Sequence, residues 1–219
     1  MTEEVKERRP YDGSRRRAAA QETRRAIVEA ARRLFLERGF TATTMGAIAT
    51  AAGVSHETVY AFGPKPALFR HLVEIALSGS ESPVPGMERD YARQVMAETD
   101  PGRLFDIYAG AMRQTQERLA PLFDVLSDGA RTDPDLKALS DELSARRAGH
   151  MRLLATHLAE IGGLRQGVSV ERAADVIWLL NSSEVFLLLV RDRRWDPELF
   201  ERWLAETWKL LLMAPPAES

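Results

Sequence analysis

Apolar residues in this sequence recur at helical spacing, and no segment alternates apolar and polar residues over the length of a strand. One such apolar stripe, at i, i+4, i+7 and i+8, consists of Ile27, Ala31, Leu34 and Phe35. This spacing places side chains on one face of a helix, which can then pack on a core. The pattern therefore predicts an all-α fold of about nine or ten helices.

The helix ends are also marked in the sequence. Gly39, Gly53 and Gly79 follow apolar stripes and predict helix C-termini, because glycine readily adopts a positive φ. Asp-Pro pairs at 100–101, 133–134 and 196–197 predict helix starts, with a capping acid before a proline. The spacing of Asn181 and Glu184 predicts a capping box that restarts a helix within the apolar stretch 175–190.

Charge is unevenly distributed along the chain. The whole chain carries −2, but residues 1–70 hold 13 Lys and Arg against 8 Asp and Glu, a net charge of +5 that leaves −7 for the rest. A segment rich in Ser, Pro and Gly at 78–86 predicts a boundary. We expect a disordered basic arm over 1–18, a first module over 19–79 and a second over 80–213, with different partners.

Several classes of protein are disfavoured. The absence of cysteine excludes disulfides and thiolate metal sites, and the charged start and interrupted apolar stretch predict neither a secretory signal nor a membrane span. We find no nucleophile–base pair, phosphate loop or catalytic carboxylate pair. His150 and His157 share a helix face, but no third ligand accompanies them. We therefore expect a cytoplasmic protein that is not an enzyme and has no cofactor or metal.

The region around residues 20–62 predicts a helix-turn-helix. Ala49 allows two helices to cross closely, and Gly53 supplies the positive φ of the turn. Four apolar residues would hold the second helix against the first: Ile48, Val54, Val59 and Phe62. The second helix is predicted to include Val59 and Phe62. The polar residues left on its outer face, where such a motif enters the major groove, are Ser55, His56, Glu57, Thr58 and Tyr60.

The stretch GFTATTMGAIATAAGVSHETVYAFGPKPALFRHLV, residues 39–73, resembles the signature of the TetR (tetracycline-repressor-like) family of bacterial transcriptional regulators. The matching positions are Gly39, Phe40, Thr43, Thr44, Ile48, Ala49, Ala52, Gly53, Val54, Ser55, Thr58, Val59, Tyr60, Phe62, Lys65 and Leu68. The resemblance covers about residues 20–75. It implies an N-terminal helix-turn-helix DNA-binding domain followed by a helical domain for ligand binding and dimerisation.

The resemblance also implies roles for individual residues. Contacts to phosphate are implied for Thr44, Tyr60 and Lys65, and contacts to base edges for three others: His56, Glu57 and Thr58. Thr43 and Ser55 complete the predicted interface, and the basic arm with Arg16 and Arg17 would enter a minor groove. Thr44 and Ser55 are equally explained as helix caps.

The sequence departs from the family pattern after the second helix of the motif. Lys65 lies five positions beyond Tyr60, one fewer than in the family, and it stands between two prolines, Pro64 and Pro66. A residue before proline is pushed out of the α region, while Pro66 suits the first turn of a helix. We expect Lys65 at the start of the next helix, with the geometry of its phosphate contact left open.

The second module would contain a small-molecule site and a dimer interface. The aromatic, methionine and polar residues that would line a site for a largely apolar effector are Phe105, Tyr108, Met112, Phe123, Met151, Trp178 and Asn181. The last helices carry broad apolar faces, and the dimer residues predicted from them are Phe186, Val190, Leu199, Trp203, Trp208 and Leu211. Each of these residues is also explained as ordinary core.

Together these features predict a ligand-responsive repressor that binds a palindromic operator in double-stranded DNA as a homodimer. The alternative is a helical ligand-binding or interaction dimer in which the helix-turn-helix has degenerated. The shortened segment after Tyr60 is the reason to retain this alternative.

Overall fold

A computed structural model describes residues 13–214, which form ten α-helices and no strand. This confirms the all-α prediction. The helices are α1 (Gly13–Ala42), α2 (Met45–Ala52), α3 (His56–Tyr60), α4 (Lys65–Ser78), α5 (Asp90–Ala97), α6 (Pro101–Gly129), α7 (Pro134–Glu160), α8 (Val170–Leu180), α9 (Ser183–Phe186) and α10 (Pro197–Leu212). A 3-10 turn at Gly86–Glu88 precedes α5, and a π-helical segment at Leu187–Asp192 continues α9.

The predicted helix ends and starts are largely where the local sequence places them. Gly39, Gly53 and Gly79 have φ values of 73°, 66° and 67°, in the left-handed region that lets a helix stop. The backbone of α1 is non-helical at Gly39, which closes its long N-terminal part. The three Asp-Pro pairs all cap helices, since each aspartate accepts a backbone N–H in the first turn of α6, α7 or α10.

Three local predictions are wrong. Because α1 begins at Gly13, residues 13–18 are helical rather than part of a disordered arm, and residues 1–12 lie outside the described part of the chain. Ser182, not Asn181, caps α9, because its Oγ accepts the Val185 N–H while Asn181 ends α8. Phe62 lies beyond α3, in the turn before α4.

Two buried cores are joined by α6, which runs through both. The first core is built on α1–α4 but also contains Leu122 and Leu126 of α6 and Leu136 and Leu139 of α7. The second contains residues of α5–α10, with the aromatic pair Phe105 and Trp208, and buried residues nearer the start of α6. The predicted DNA-binding module is therefore packed directly on helices of the second module.

Helix α4 is held to the second module by polar contacts as well. Its Arg70 forms a two-bond ion pair with Glu142, with both Nη1–O distances at 2.8 Å. Its Glu74 pairs with Arg146 of α7 at 2.8 Å. Near its end, the carbonyl of Ala76 accepts from the Nε–H of Arg118 in α6, at 3.0 Å. These contacts tie α4 along its length to α6 and α7.

Within residues 13–214, no single helix is long and apolar enough to cross a membrane, although the segments Val170–Leu180 and Ser183–Asp192, bent by 42°, pass that test as a pair. In the same part of the chain, no group of three or more His, Asp or Glu side chains is placed to hold a metal ion.

Candidate nucleic-acid interface and ligand cavity

The helix-turn-helix is fixed by a buried apolar contact and two capping residues. Ile48 of α2 and Val59 of α3 are fully buried, and they hold the two helices together. The Thr44 Oγ1 accepts the N–H of Ala47 and so caps α2, at 3.1 Å. The Ser55 Oγ accepts the N–H in the first turn of α3 in the same way. Both threonine and serine therefore act as caps, which fixes the start of each helix.

The polar side chains predicted at the DNA surface come together on the outer face of α3. Ser55, His56 and Glu57 are exposed, and 54% of the Tyr60 surface is open to solvent. The hydroxyl groups of Ser55 and Thr58 are 2.8 Å apart. A convex polar face of this kind, on the second helix of the motif, is the surface that enters a major groove.

The imidazole of His56 is held in place on that face. Its ring centroid is 5.6 Å from that of Tyr60. On the other side it lies against Gly46 of α2, so closely that a Cβ at position 46 would stand 2.6 Å from its Nε2. The absence of a side chain at Gly46 therefore makes room for His56.

Thr43 of the predicted interface does not lie at the surface. Thr43 is fully buried, and its Oγ1 donates to the carbonyls of Leu34 and Gly39 at 3.0 and 2.8 Å, so its side chain holds the corner between α1 and α2. This corrects its assignment to the DNA surface. Thr44 beside it is exposed.

The ammonium of Lys65 is turned toward the same corner. Its Nζ donates to the carbonyls of Phe40 and Thr43 at 2.9 and 3.1 Å and lies 4.2 Å from the centre of the Phe40 ring. Burial lowers the pKa of Lys65 below its ordinary value, and the charge of Asp133 opposes this shift. A phosphate contact stays a prediction for Lys65, but in this structure the side chain links α4 to the helix-turn-helix by hydrogen bonds.

Arg16 and Arg17 are exposed in the first turns of α1. They belong to a helix rather than to an irregular arm, so the predicted minor-groove contact would be made from a helix end.

A cavity of about 240 Å³ lies between α4 and helices of the second module. Six of the seven residues predicted for the effector site line it: Tyr108, Met112, Phe123, Met151, Trp178 and Asn181. Phe105 does not, because it is fully buried and packs against the Trp208 ring at 5.6 Å between centroids. Sequence reasoning thus identified most of one wall, and Phe105 is corrected to core.

One wall of the cavity carries a hydrogen-bonded polar group. The Gln116 Nε2 donates to the Asn181 carbonyl at 2.6 Å, and the Ser183 Oγ donates to the Gln116 Oε1 at 2.7 Å. The Asn181 amide is best satisfied with its Oδ1 accepting from the Tyr108 hydroxyl at 2.9 Å. Burial raises the pKa of Tyr108 far above its ordinary value, so this hydroxyl stays protonated and acts as a donor.

Sequence reasoning did not assign the three arginines and the histidine of the cavity lining to the effector site. Arg89, Arg146, Arg147 and His150 all line it. A signal was available for Arg147, which falls at helical spacing between Leu143 and Met151 on the apolar stripe of α7 and therefore faces inward. His150 and His157 do not act together: the ring of His150 lies against Gly86, and the Nε2 of His157 is 2.9 Å from the carbonyl of Glu98.

The predicted dimer residues divide into two groups. Phe186 and Trp208 are buried, the first against Phe200 and the second against Phe105 and Tyr108, so both are corrected to core. The other four remain accessible, with Leu199 and Leu211 exposed and the remaining pair half-buried: Val190 and Trp203. Leu188 and Leu210, which were not predicted, are 57% and 76% exposed.

Comparisons with known proteins agree with this architecture. Residues 27–72 match the family described as bacterial regulatory proteins, tetR family. The HTH-type transcriptional regulator AcrR of Shigella flexneri is 41% identical over 73 residues, which cover 33% of this chain and 32% of that protein. The match therefore spans about a third of the length of this curated relative.

Solved structures resemble the chain over most of its length. NalD, the secondary repressor of the MexAB-OprM multidrug efflux pump in Pseudomonas aeruginosa, has a TM-score of 0.68 and 26% identity, over 90% of this chain and 98% of that chain. The fatty acid degradation regulator FadR of Bacillus halodurans has the same TM-score at 18% identity, over 85% and 97%, which shows a shared fold alone. The helix-turn-helix region, residues 27–72, thus matches the TetR family of bacterial regulatory proteins, and about 90% of the chain shares the fold of NalD.

Proposed function

We propose that this protein is a DNA-binding transcriptional repressor that acts as a homodimer on a palindromic operator and responds to a small, largely apolar effector. The observation that carries the proposal is the exposed polar face of α3 within the region that matches the family. His56, Glu57, Tyr60 and Thr44 are all exposed; in the proposed complex the first two would contact base edges and the last two would contact phosphates. NalD is described as a repressor, which favours the same direction of control here. Its place of action is the cytoplasm, and it has no catalytic role.

A dimer follows from the small size of the reading element. Helix α3 has only five residues and can address few base pairs, whereas two-fold symmetry doubles the site that is read. The exposed leucines of α10, at 199, 210 and 211, and Leu188 of the π-helical segment offer an apolar surface for the second copy. Of the predicted interface residues, Leu199 and Leu211 are therefore available for such contact, whereas the buried Phe186 and Trp208 are not.

The effector response would pass through α4. Val73 and Leu77 of this helix line the cavity, while Lys65 at its start is bonded to the carbonyls between α1 and α2. A ligand that fits one position of α4 better than another would shift the population of that position. Because Lys65 connects α4 to the motif, the shift would change the separation of the two α3 helices in a dimer.

The proposal is tested by fluorescence anisotropy with duplexes from the region upstream of the protein's own gene. We expect specific retention against excess unrelated duplex, with log K falling by about 0.9 per log unit of salt for each phosphate neutralised. Tyr60→Phe should weaken binding to all duplexes about five- to tenfold, since one phosphate hydrogen bond is lost. His56→Ala should instead change the preferred sequence.

No binding at low salt to any neighbouring promoter region would overturn the proposal. It would favour the alternative, a ligand-binding dimer with a degenerate helix-turn-helix.

A further inference from the structure

The cavity has a charge that differs from that of its surroundings. Residues 71–219 carry a net charge of −7, yet the cavity is lined by three arginines, Arg89, Arg146 and Arg147, and by one carboxylate, Glu184. One arginine of the three, Arg146, is already neutralised by its ion pair with Glu74. An acidic module thus surrounds its cavity with an excess of positive charge.

Arg147 is an arginine of the cavity that has no ion pair within the described residues. Its guanidinium is half-buried over the Trp178 ring, 4.4 Å from the ring centre, and no carboxylate of residues 13–214 forms an ion pair with it. Its Nη1 is 3.4 Å from the Asn181 amide. When that amide turns its nitrogen to the carbonyls of Ile177 and Trp178, its best-satisfied orientation, it gives Arg147 no acceptor.

Other features of the same wall also favour an incoming acceptor. The indole N–H of Trp178 is buried without a hydrogen-bond partner in the described part of the chain. Burial lowers the pKa of Arg147, with the charge of Glu184 opposing, but an arginine remains protonated at neutral pH. A desolvated guanidinium without an anion is costly, and a carboxylate on the ligand would offset that cost with paired, charge-assisted hydrogen bonds.

Another part of the cavity lining is apolar and suits the rest of such a ligand. Met112, Phe123, Met151 and Leu154 line it, together with aliphatic residues of α4. We propose that the effector is an amphipathic organic anion, whose carboxylate or similar group binds Arg147 and whose apolar body lies among these side chains. This inference rests on the proposed effector site and adds the charge of its ligand.

The test compares three probes that share a ring system and differ in charge: naphthylacetate, naphthylethanol and naphthylethylamine. Their affinities for the full chain are measured by isothermal titration calorimetry at neutral pH. We expect naphthylacetate to bind about ten- to a hundredfold more tightly than naphthylethanol, as hydrogen bonds to a charged group allow, and naphthylethylamine most weakly. Arg147→Met should abolish the preference for the acid over the alcohol, since Met can still pack on Trp178 but carries no charge.

Arg152→Met is the matched control, because Arg152 lies on the same helix, is exposed and is not part of the cavity lining. It should keep the full preference. Equal affinity for acid and alcohol, a preference for the amine, or no binding of any probe overturns the inference. Anisotropy without probe, measured on the same preparations, tests DNA binding separately, so a failed operator interaction is distinguished from a wrong ligand class.

Discussion

At the residue scale, Lys65 joins α4 to the corner between α1 and α2. Lys65→Met would leave the carbonyls of Phe40 and Thr43 without their donor, and we expect a loss of about 1–3 kcal/mol in the free energy of unfolding. Urea denaturation followed by circular dichroism measures this. Lys137→Met serves as the control, because Lys137 is exposed and pairs with Asp141 only at the surface, so it should change little.

The two possible roles of Lys65 give different results. If Lys65 acts mainly as a link between α4 and the α1–α2 corner, Lys65→Met should lower the free energy of unfolding by more than it weakens the free energy of DNA binding. An unchanged free energy of unfolding with about tenfold weaker binding to every duplex would contradict this structural role and would support a phosphate contact by Lys65.

His71 gives a pH dependence to stability. Burial and the neighbouring Arg24 lower the pKa of His71 below its ordinary 6.5, and its Nε2 is 3.3 Å from the Arg24 Nη2. The unfolded chain therefore binds a proton first, so stability should fall as pH decreases below 6.5 and level off below the folded pKa. Urea midpoints across this range should show a smaller fall in His71→Gln. An identical fall would assign the effect elsewhere, for example to His150, whose pKa is also lowered by burial.

Residues whose partners lie close in sequence were predictable. The capping roles of Thr44, Ser55 and Asp100 each depend on a donor three positions away, which the sequence shows directly. Lys65 bonds to carbonyls 22 and 25 positions earlier, so its orientation depends on how α1 and α4 pack. The prediction of Trp208 as a dimer residue was wrong for the same reason. An apolar stripe does not indicate whether it packs against the same chain or against a second copy, and Trp208 packs on Tyr108 of its own chain.

At the scale of elements, the fit of α2 to α3 depends on Gly46. Replacing this helical glycine with alanine should stabilise α2 by about 0.5–1 kcal/mol. The new Cβ would meet the His56 ring and force it to move. We expect Gly46→Ala to raise the melting temperature while changing sequence preference in the same direction as His56→Ala, measured by melting curves and selection from a randomised duplex library.

Gly149→Ala provides the comparison for this effect. Gly149 is also within a helix, α7, and a Cβ there would meet nothing within 4 Å. The substitution should stabilise the protein and leave the preferred DNA sequence unchanged. If Gly46→Ala, like Gly149→Ala, leaves the preferred DNA sequence unchanged, His56 does not contact base edges in the orientation that it has in this structure.

The lengths of the elements were less predictable than their existence. The stripe and cap of α3 predict a helix, but its end at Tyr60 depends on the turn in which Gly63 has a φ of 94°. The segment before α4 is one residue shorter than in the family pattern. In an uninterrupted helix, one missing residue would rotate all the residues that follow by about 100°. The turn at Gly63 accommodates this difference. Phe62 then packs beside His71 and Arg24 rather than continuing the helix.

At the scale of the whole molecule, the two modules share structure that a division at residue 79 does not describe. Leu122 and Leu136 of the second module are buried in the core of the first, and Glu74 and Arg146 connect the two across α4 and α7. Changes around the cavity are thereby connected to the motif through packed side chains. The charge asymmetry predicts different partners for the two modules, but their cores are not separate, because the first core includes residues of α6 and α7.

In the proposed function, operator recognition depends most on dimerisation, which is a property of the whole molecule. Leu199 and Leu210 are eleven residues apart on α10, about three turns, so they lie on one face, and both are exposed. We expect the wild type to be a dimer by sedimentation equilibrium. The double substitution Leu199→Glu and Leu210→Glu should give a monomer, because like charges from both copies would meet in an apolar contact.

The same double variant separates association from folding. Since neither leucine is buried within the chain, the monomer should retain its helical circular dichroism, and its affinity for a palindromic duplex should fall at least a hundredfold as the second α3 is lost. Leu36→Glu, on an exposed position of α1, should stay dimeric. A double variant that remains dimeric would move the interface away from this face of α10, and a monomeric wild type would remove the two-fold arrangement on which the palindromic operator depends.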